Sequence, residues 1–240
     1  MKCLNYFNII LFQLVFVSAS HAQVSEKNEQ PLNAKQKSIV SIAAFAANGD
    51  LNSLESELNA GLDAGLTVNK TKEILVHLYA YAGFPRSIRG LQTLMAVLDN
   101  RQGKGISDTW GNEASEILDN RSKYERGKAN LEKLTGFSQD GPKKGYAQFS
   151  PEIEVFLKEH LFADLFDRDV LTYTEREITT VSVLISLGDL EPMMRSHMRI
   201  CLKLGLTTDQ LGQIVGIIEE KVGKNEADAA KAVIVEISNE

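Results

Sequence analysis

The chain has 240 residues, a formal net charge of −6 at pH 7 and two cysteines, Cys3 and Cys201. This acidic balance offers no basic surface for nucleic acid or anionic lipid. We therefore expect a small molecule, or another protein, as the partner.

The first 22 residues have the pattern of a secretory signal peptide. Met1-Lys2 is followed by an apolar stretch over 9–17 and by Ser20-His21-Ala22, a small-x-small cleavage site. The apolar stretch is too short to cross a bilayer as a permanent helix. Cleavage would also remove Cys3, so Cys201 could form no disulfide within the chain. The pattern predicts a soluble exported protein, periplasmic in a Gram-negative cell, with no membrane contact after cleavage.

The first half of the mature chain predicts four helices. Apolar residues recur at helical spacing over 39–47, and Gly49-Asp50 ends that run. A stripe of four leucines over 51–62 predicts a second helix, which stops at Gly65. A third helix is predicted over 70–82, ended by Gly83-Phe84-Pro85, and a fourth over 87–100.

The second half begins with a connector over 101–149 that is poor in apolar periodicity, with one helix predicted over 124–134. Ser150-Pro151 predicts a helix start, because proline is favoured at the first helical position after a capping hydroxyl. Thr174-x-x-Glu177 and Thr207-x-x-Gln210 have the pattern of capping boxes. No alternating strand pattern stands out, so the predicted class is all-α.

An internal repeat organises the chain. Gly49-Asp50-Leu51 returns as Gly188-Asp189-Leu190 after 139 residues, and Gly65-Leu66-Thr67 returns as Gly205-Leu206-Thr207 after 140. One residue is therefore inserted between the two anchors. The repeated copies run over about 39–98 and 178–237. We predict a first unit over 32–100 and a second over 150–238, which contain these copies and are joined by the connector.

The two copies carry different polar residues at matched positions. The second copy has His197 where the first has Glu57, and the first has His77 and Tyr81 where the second has Ile217 and Lys221. If the two copies served only to pack against each other, nothing would require different ionisable residues at the matched positions. A shared site to which each copy contributes would explain the exchange.

Several residues are candidates for chemistry. Glu73, His77 and Tyr81 are spaced four apart, so a helix places them on one face as a proton-handling row, or as a polar edge turned to solvent. His197 could activate Cys201 one turn later, although a small buried role is more usual for a free cysteine. Glu177 is a candidate acid or base in addition to its predicted capping role. The candidate anion anchors are Arg86, Arg176 and Arg195.

Two segments resemble the carboxymuconolactone decarboxylase family. They are His77-Leu-Tyr-Ala-Tyr-Ala-Gly-Phe-Pro85 in the first copy, and Thr174-Glu-Arg-Glu-Ile178 with His197 and Gly205-Leu-Thr207 in the second. The resemblance implies tandem all-helical units of the alkylhydroperoxidase D type. It also implies a homo-oligomeric ring, in which a trimer of fused pairs would look like a hexamer of single units.

The resemblance leads to two chemistries, and one is disfavoured. The hydroperoxidase branch uses a Cys-x-x-Cys-x-x-x-His run with a glutamate upstream. Here the matching run is Leu190-x-x-Met193-x-x-x-His197, with Glu177 upstream. Both cysteines are absent, so a peroxiredoxin-like paired-thiol cycle is disfavoured.

The decarboxylase branch needs no cysteine, metal or organic cofactor. The resemblance therefore implies a lyase or isomerase acting on a small carboxylated lactone or organic acid. His197 and His77 would transfer protons, Tyr81, Glu57 and Glu177 would assist, and Arg86 or Arg195 would hold the carboxylate. Two alternatives stay open: a redox protein using Cys201 with an intermolecular partner, and a non-catalytic oligomeric binding protein.

Overall fold

The computed structural model describes residues 30–239, and the predicted signal peptide lies outside them. Within that range the chain is helical and forms no strand, which confirms the predicted all-α class. The helices of the first unit are α1 (Ala34–Asn48), α2 (Leu51–Asp63), α3 (Val68–His77) and α4 (Tyr79–Gly103). The remaining elements are α5 (Lys123–Thr135), α6 (Tyr146–Phe149), α7 (Pro151–Phe156), a π-helix (Leu157–Leu165), α8 (Tyr173–Leu187), α9 (Glu191–Lys203), α10 (Thr208–Lys221) and α11 (Lys224–Ser238).

The repeat is visible in the packing of these helices. Helices α1, α2 and α3 of the first unit correspond in the repeat to α8, α9 and α10 of the second. Helix α1 packs against α8, while α3 packs against α8 and α10 packs against α1. One hydrophobic core, from Leu32 to Ile237, takes buried residues from both units. The two units therefore share a core and exchange helix contacts.

Helices α8 and α10 both begin with capping boxes, and the box of α8 lies two residues before the predicted position. Thr207 and Gln210 form the predicted capping box of α10. The box of α8, however, is formed by Thr172 with Glu175, two residues before the predicted pair. The prediction of Thr174 and Glu177 as that box was wrong. As a result, the Glu177 side chain has no capping role.

The third predicted helix is divided in two. Helix α3 ends at His77, Leu78 forms a turn, and α4 begins at Tyr79. Gly83 then interrupts the helical backbone with φ 81° and ψ 162°, a conformation that a residue with a Cβ rarely adopts. Tyr81 thus lies on a short helical segment between two breaks, not on the same straight helix as Glu73 and His77.

The connector packs against both units. The carbonyls of Thr109 and Trp110 accept hydrogen bonds from the first two amides of α3, which would otherwise lack partners. Helix α5 lies close to the predicted range and packs along the π-helix. The π-helix follows α7 directly, with no residue between them. Pro151 lies at the start of α7 as predicted, but the Ser150 side chain does not cap it.

No helix in residues 30–239 is both long enough and apolar enough to cross a membrane.

Candidate functional site

The candidate site lies where α3 and the start of α4, from the first unit, meet α8 and α9 of the second. His77 and Tyr81 come from the first unit, and Glu177 and His197 from the second. The ring centroids of His77 and Tyr81 are 5.5 Å apart, and those of Tyr81 and His197 are 5.7 Å apart. The structure therefore brings these four predicted residues together, with contributions from both copies of the repeat.

Glu177 and His197 form a carboxylate–imidazole pair. His197 Nδ1 lies 2.8 Å from Glu177 Oε2, and the Glu177 side chain is fully buried. An ionised carboxylate only accepts hydrogen bonds, so Nδ1 carries the proton and donates it. The other ring nitrogen, Nε2, is left for chemistry. The His197 side chain is 13% exposed, so the ring lies at the edge of the core.

Tyr81 supplies a buried phenol next to this pair. Burial raises the pKa of the Tyr81 hydroxyl, and the neighbouring Glu177 carboxylate raises it further. The hydroxyl lies beside Thr180 but makes no hydrogen bond of good geometry with any described residue. Glu177 Oε1 is likewise buried and without a hydrogen-bond partner among the described residues. The site thus holds one unused donor and one unused acceptor.

His77 is held as a neutral ring by its two neighbours. Arg176 Nη1 lies 3.2 Å from His77 Nδ1, and an arginine can only donate, so Nδ1 accepts. The proton of the ring is then on Nε2, which donates to Thr180 Oγ1 at 2.9 Å. Burial, followed by the charges of Arg176 and His197, sets the pKa of His77 well below its usual value. Both ring nitrogens are occupied, so the structure does not favour His77 as a group that transfers protons.

A buried ion network supports His77 from behind. The Arg176 guanidinium is fully buried and donates to Glu73 Oε1 at 2.8 Å, while Arg168 binds the same carboxylate from the surface. Burial alone would raise the pKa of Glu73, but hydrogen bonds from Arg168 and Arg176 bring it below its usual value. Arg176 was a candidate substrate anchor, but its charge is neutralised inside the protein.

The other predicted site residues lie elsewhere. Glu57 forms an ion pair with Lys221, apart from the His197 cluster. The Arg86 guanidinium packs over Gly49 at the end of α1. Arg195 pairs with Glu236 at 2.5 Å. The contacts described for these three residues do not join them to the cluster, and their roles at the site stay predictions.

Cys201 has the properties of a structural residue. Its side chain is buried, and burial, followed by the Glu177 charge, raises the pKa of its thiol well above the usual value. The thiolate is the reactive form of cysteine, so this environment suppresses reactivity. Met193, which occupies the position of the second cysteine in the hydroperoxidase run, is half exposed.

Sequence reasoning did not identify Thr180, which accepts a hydrogen bond from His77 and lies beside the Tyr81 hydroxyl. One indication was available: Thr180 lies three residues after Glu177, so a helix places both on the same face. The repeat also matches it to Ser41, another hydroxyl.

Fold and site together define a class: a tandem-repeat helical protein with an acid–base cluster composed from both repeats. The comparison with family profiles agrees with this class, since the profile of the carboxymuconolactone decarboxylase family matches residues 12–94 and 151–236. The chain belongs to this family. The first match begins inside the predicted signal peptide, and that peptide stays a prediction. No curated protein matches the chain.

Proposed function

We propose that the protein is a cofactor-free lyase or isomerase, of the decarboxylase type, acting on a small carboxylated lactone or related organic acid. The observation that carries the proposal is the Glu177–His197 pair beside two unpaired polar atoms, Tyr81 Oη and Glu177 Oε1. Leaving a buried donor or acceptor unpaired costs about 1–3 kcal/mol, so packing alone gives no reason to keep two of them. An oxygen of the bound substrate would supply the acceptor for Tyr81 Oη, and a water or hydroxyl group bound with it would supply the donor for Glu177 Oε1.

His197 is the proton-transfer residue in this proposal. Glu177 holds Nδ1 and so directs Nε2 toward the substrate, as a carboxylate does in other histidine dyads. In decarboxylation, the bond between the carboxyl carbon and the ring breaks, and carbon dioxide leaves. The electron pair passes into the conjugated lactone, and the His197 ring, which has first taken a second proton from solvent on Nε2, gives that proton to carbon and returns to its neutral Nδ1–H form. Water later restores that proton.

Tyr81 is the hydrogen-bond donor to the developing enolate. Its raised pKa keeps the phenol protonated at neutral pH, so the hydroxyl can donate to an anionic oxygen. His77 becomes a positioning residue: it donates to Thr180, which lies beside the Tyr81 hydroxyl. Arg86 and Arg195 stay candidates for holding the substrate carboxylate.

The test uses carboxylated unsaturated lactones and measures carbon dioxide release by purified protein. His197→Ala should lose turnover by about 10²–10⁴-fold, the usual share of general acid–base catalysis. Tyr81→Phe should lose about 10²–10³-fold, as for one oxyanion donor. Cys201→Ala is the matched control and should keep full turnover. Circular dichroism checks that each variant is folded, and an unchanged rate in folded His197→Ala contradicts the proposal.

The redox alternative is less well supported, because the thiol of Cys201 is buried and its pKa is raised. A non-catalytic binding role predicts that the wild-type protein turns over none of the lactones although it binds them. A peroxide-reduction assay on the same variants separates these alternatives, since activity that is lost in Cys201→Ala would favour the redox alternative.

We also propose that the mature protein is exported to the periplasm and assembles into a homo-oligomer, such as a trimer resembling a pseudo-hexamer. The leader pattern and the family support these proposals. Mass spectrometry of the periplasmic fraction would show cleavage after Ala22, and light scattering would give the number of chains. An intact amino terminus or a monomer would contradict them.

A further inference from the structure

A cavity lies at the positions that the repeat matches to the His197 cluster. Ser38, Ser41 and Glu57 of the first unit correspond to Glu177, Thr180 and His197 of the second. Ser38, Ser41 and Glu57 line an open cavity of about 430 Å³, together with Ile217 and Lys221 of α10. These two are the counterparts of His77 and Tyr81. The cavity is therefore the repeat-related partner of the candidate site, again composed from both units.

The chemistry of this cavity differs from that of the candidate site. Neither imidazole nor phenol is present, and Lys221 and Glu57 neutralise each other in an ion pair. Compared with the His197 cluster, the described wall of this cavity lacks the groups proposed for proton transfer, but the cavity can still hold a ligand. A volume of about 430 Å³ lies within the range of small-molecule sites, which is about 300–1,000 Å³.

Two charges of the cavity wall have no partner in the structure. Lys37 on α1 and Glu220 on α10 both line the cavity, and neither forms an ion pair with any residue in 30–239. They are opposite in sign, so the remaining charge of the wall is one cation and one anion. A ligand complementary to that pair carries one carboxylate and one ammonium group.

The neutral part of the wall fits the same ligand. Gln213 offers an amide, and its Oε1 accepts from the backbone of Leu32, which fixes its orientation. Gly216 and Ile217 give an apolar surface, and a Cβ at Gly216 would have no atom within 4 Å. Gln213 and Glu220 are seven residues apart on α10, a rise of about 10 Å. The α10 wall of the cavity therefore has room along its length for an amino acid or a short peptide.

We propose that this cavity binds a small zwitterion, an amino acid or short peptide with a free ammonium and a free carboxylate. Lys37 takes the carboxylate, Glu220 takes the ammonium, and Ile217 contacts the apolar side chain. The site binds without catalysing proton transfer, and it is separate from the His197 cluster.

The experiment is a ligand-observed NMR titration of the full-length mature protein with L-leucine and glycyl-L-leucine. Each ligand is compared with its N-acetyl derivative, which has lost the ammonium, and its amide, which has lost the carboxylate. The zwitterions should bind at least about tenfold more tightly than either derivative. No saturation up to about 10 mM, or equal binding of the derivatives, overturns the proposal.

Variants assign the two ends of the ligand. Lys37→Ala should abolish the preference over the amide and keep the preference over the N-acetyl derivative, whereas Glu220→Gln should do the reverse. Lys35→Ala on α1 and Glu55→Gln on α2 remove similar charges outside the cavity wall and should leave binding unchanged. Preferences unaltered in both Lys37→Ala and Glu220→Gln overturn the assignment.

Discussion

Replacement of Glu73 by glutamine should destabilise the protein strongly, because Glu73 neutralises a guanidinium that has no access to water. Glu73 is 2% exposed and Arg176 is 0% exposed. Removing one partner of a buried ion pair costs about 3–5 kcal/mol, since the other charge stays uncompensated. The glutamine oxygen can still accept one bond from Arg176, so we expect a loss near the lower limit, about 3 kcal/mol.

The other partner of Glu73 gives the matched control. The Arg168 side chain is 37% exposed but its partner Glu73 is 2% exposed, so this ion pair is only half solvated. Arg168→Met should cost about 1–2 kcal/mol, less than Glu73→Gln, because Glu73 still neutralises Arg176 although Glu73 Oε2 loses its donors. Urea unfolding followed by circular dichroism measures both values. In thermal unfolding, Glu73→Gln should lower Tm by roughly 6–12 °C.

The effect of pH gives a further check on Glu73. Its pKa in the folded protein lies below the usual value of 4.5. A depressed carboxyl pKa contributes stability above the unfolded pKa, and that contribution is lost as the pH falls through the folded pKa. The gap between wild type and Glu73→Gln should therefore narrow in acid. A gap below about 1 kcal/mol at pH 7, or an equal loss in Arg168→Met, would refute the reasoning.

Three further results are expected. His77 stays neutral in the folded protein but binds a proton near pH 6.5 in the unfolded chain. The free energy of unfolding of the wild type should therefore fall by up to about 1.4 kcal/mol for each pH unit below 6.5, and it should fall less steeply in His77→Gln. Equal slopes in urea unfolding at several pH values would contradict this. The Cys201 thiol should resist a disulfide reagent in the folded protein and react in denaturant, and equal rates would show that it is accessible. Gly127→Ala should destabilise the protein by about 1–3 kcal/mol, because the new Cβ would lie 1.7 Å from the Lys158 carbonyl oxygen. Gly212→Ala adds a Cβ in open space on α10 and should stabilise the protein by roughly 0.5–1 kcal/mol. Urea unfolding measures both changes and shows whether their signs are opposite.

Most helices could be predicted from apolar periodicity and capping residues, but the start of α8 could not. Thr172-x-x-Glu175 and Thr174-x-x-Glu177 are two overlapping capping patterns, and both fit the sequence. The structure uses the first, where Leu171 is buried and Lys70 of α3 holds Glu175 at 2.5 Å. Both contacts join segments distant along the chain, so sequence spacing could not choose between the frames.

The grouping of these residues was predicted, but their hydrogen-bond partners were not. The exchange of His77 and Tyr81 against His197 between the copies predicted that both units contribute to one cluster, and the structure brings the three rings together. The role of His77 depends on a donor from α8, Arg176, whose position relative to the ring is fixed only by packing. No pattern of spacing reports the direction of such a hydrogen bond.

The contacts between helices of the two units have a consequence for how substitutions affect the His197 cluster and the Glu57 cavity. In a symmetric pair of identical chains, one substitution alters both sites at once. In this fused chain, each position belongs to only one of the two places: Tyr81 lies in the cluster of His197, and Lys221 lines the cavity of Glu57. Duplication within one chain therefore lets the cluster and the cavity differ in chemistry, although both depend on the same core for their shape.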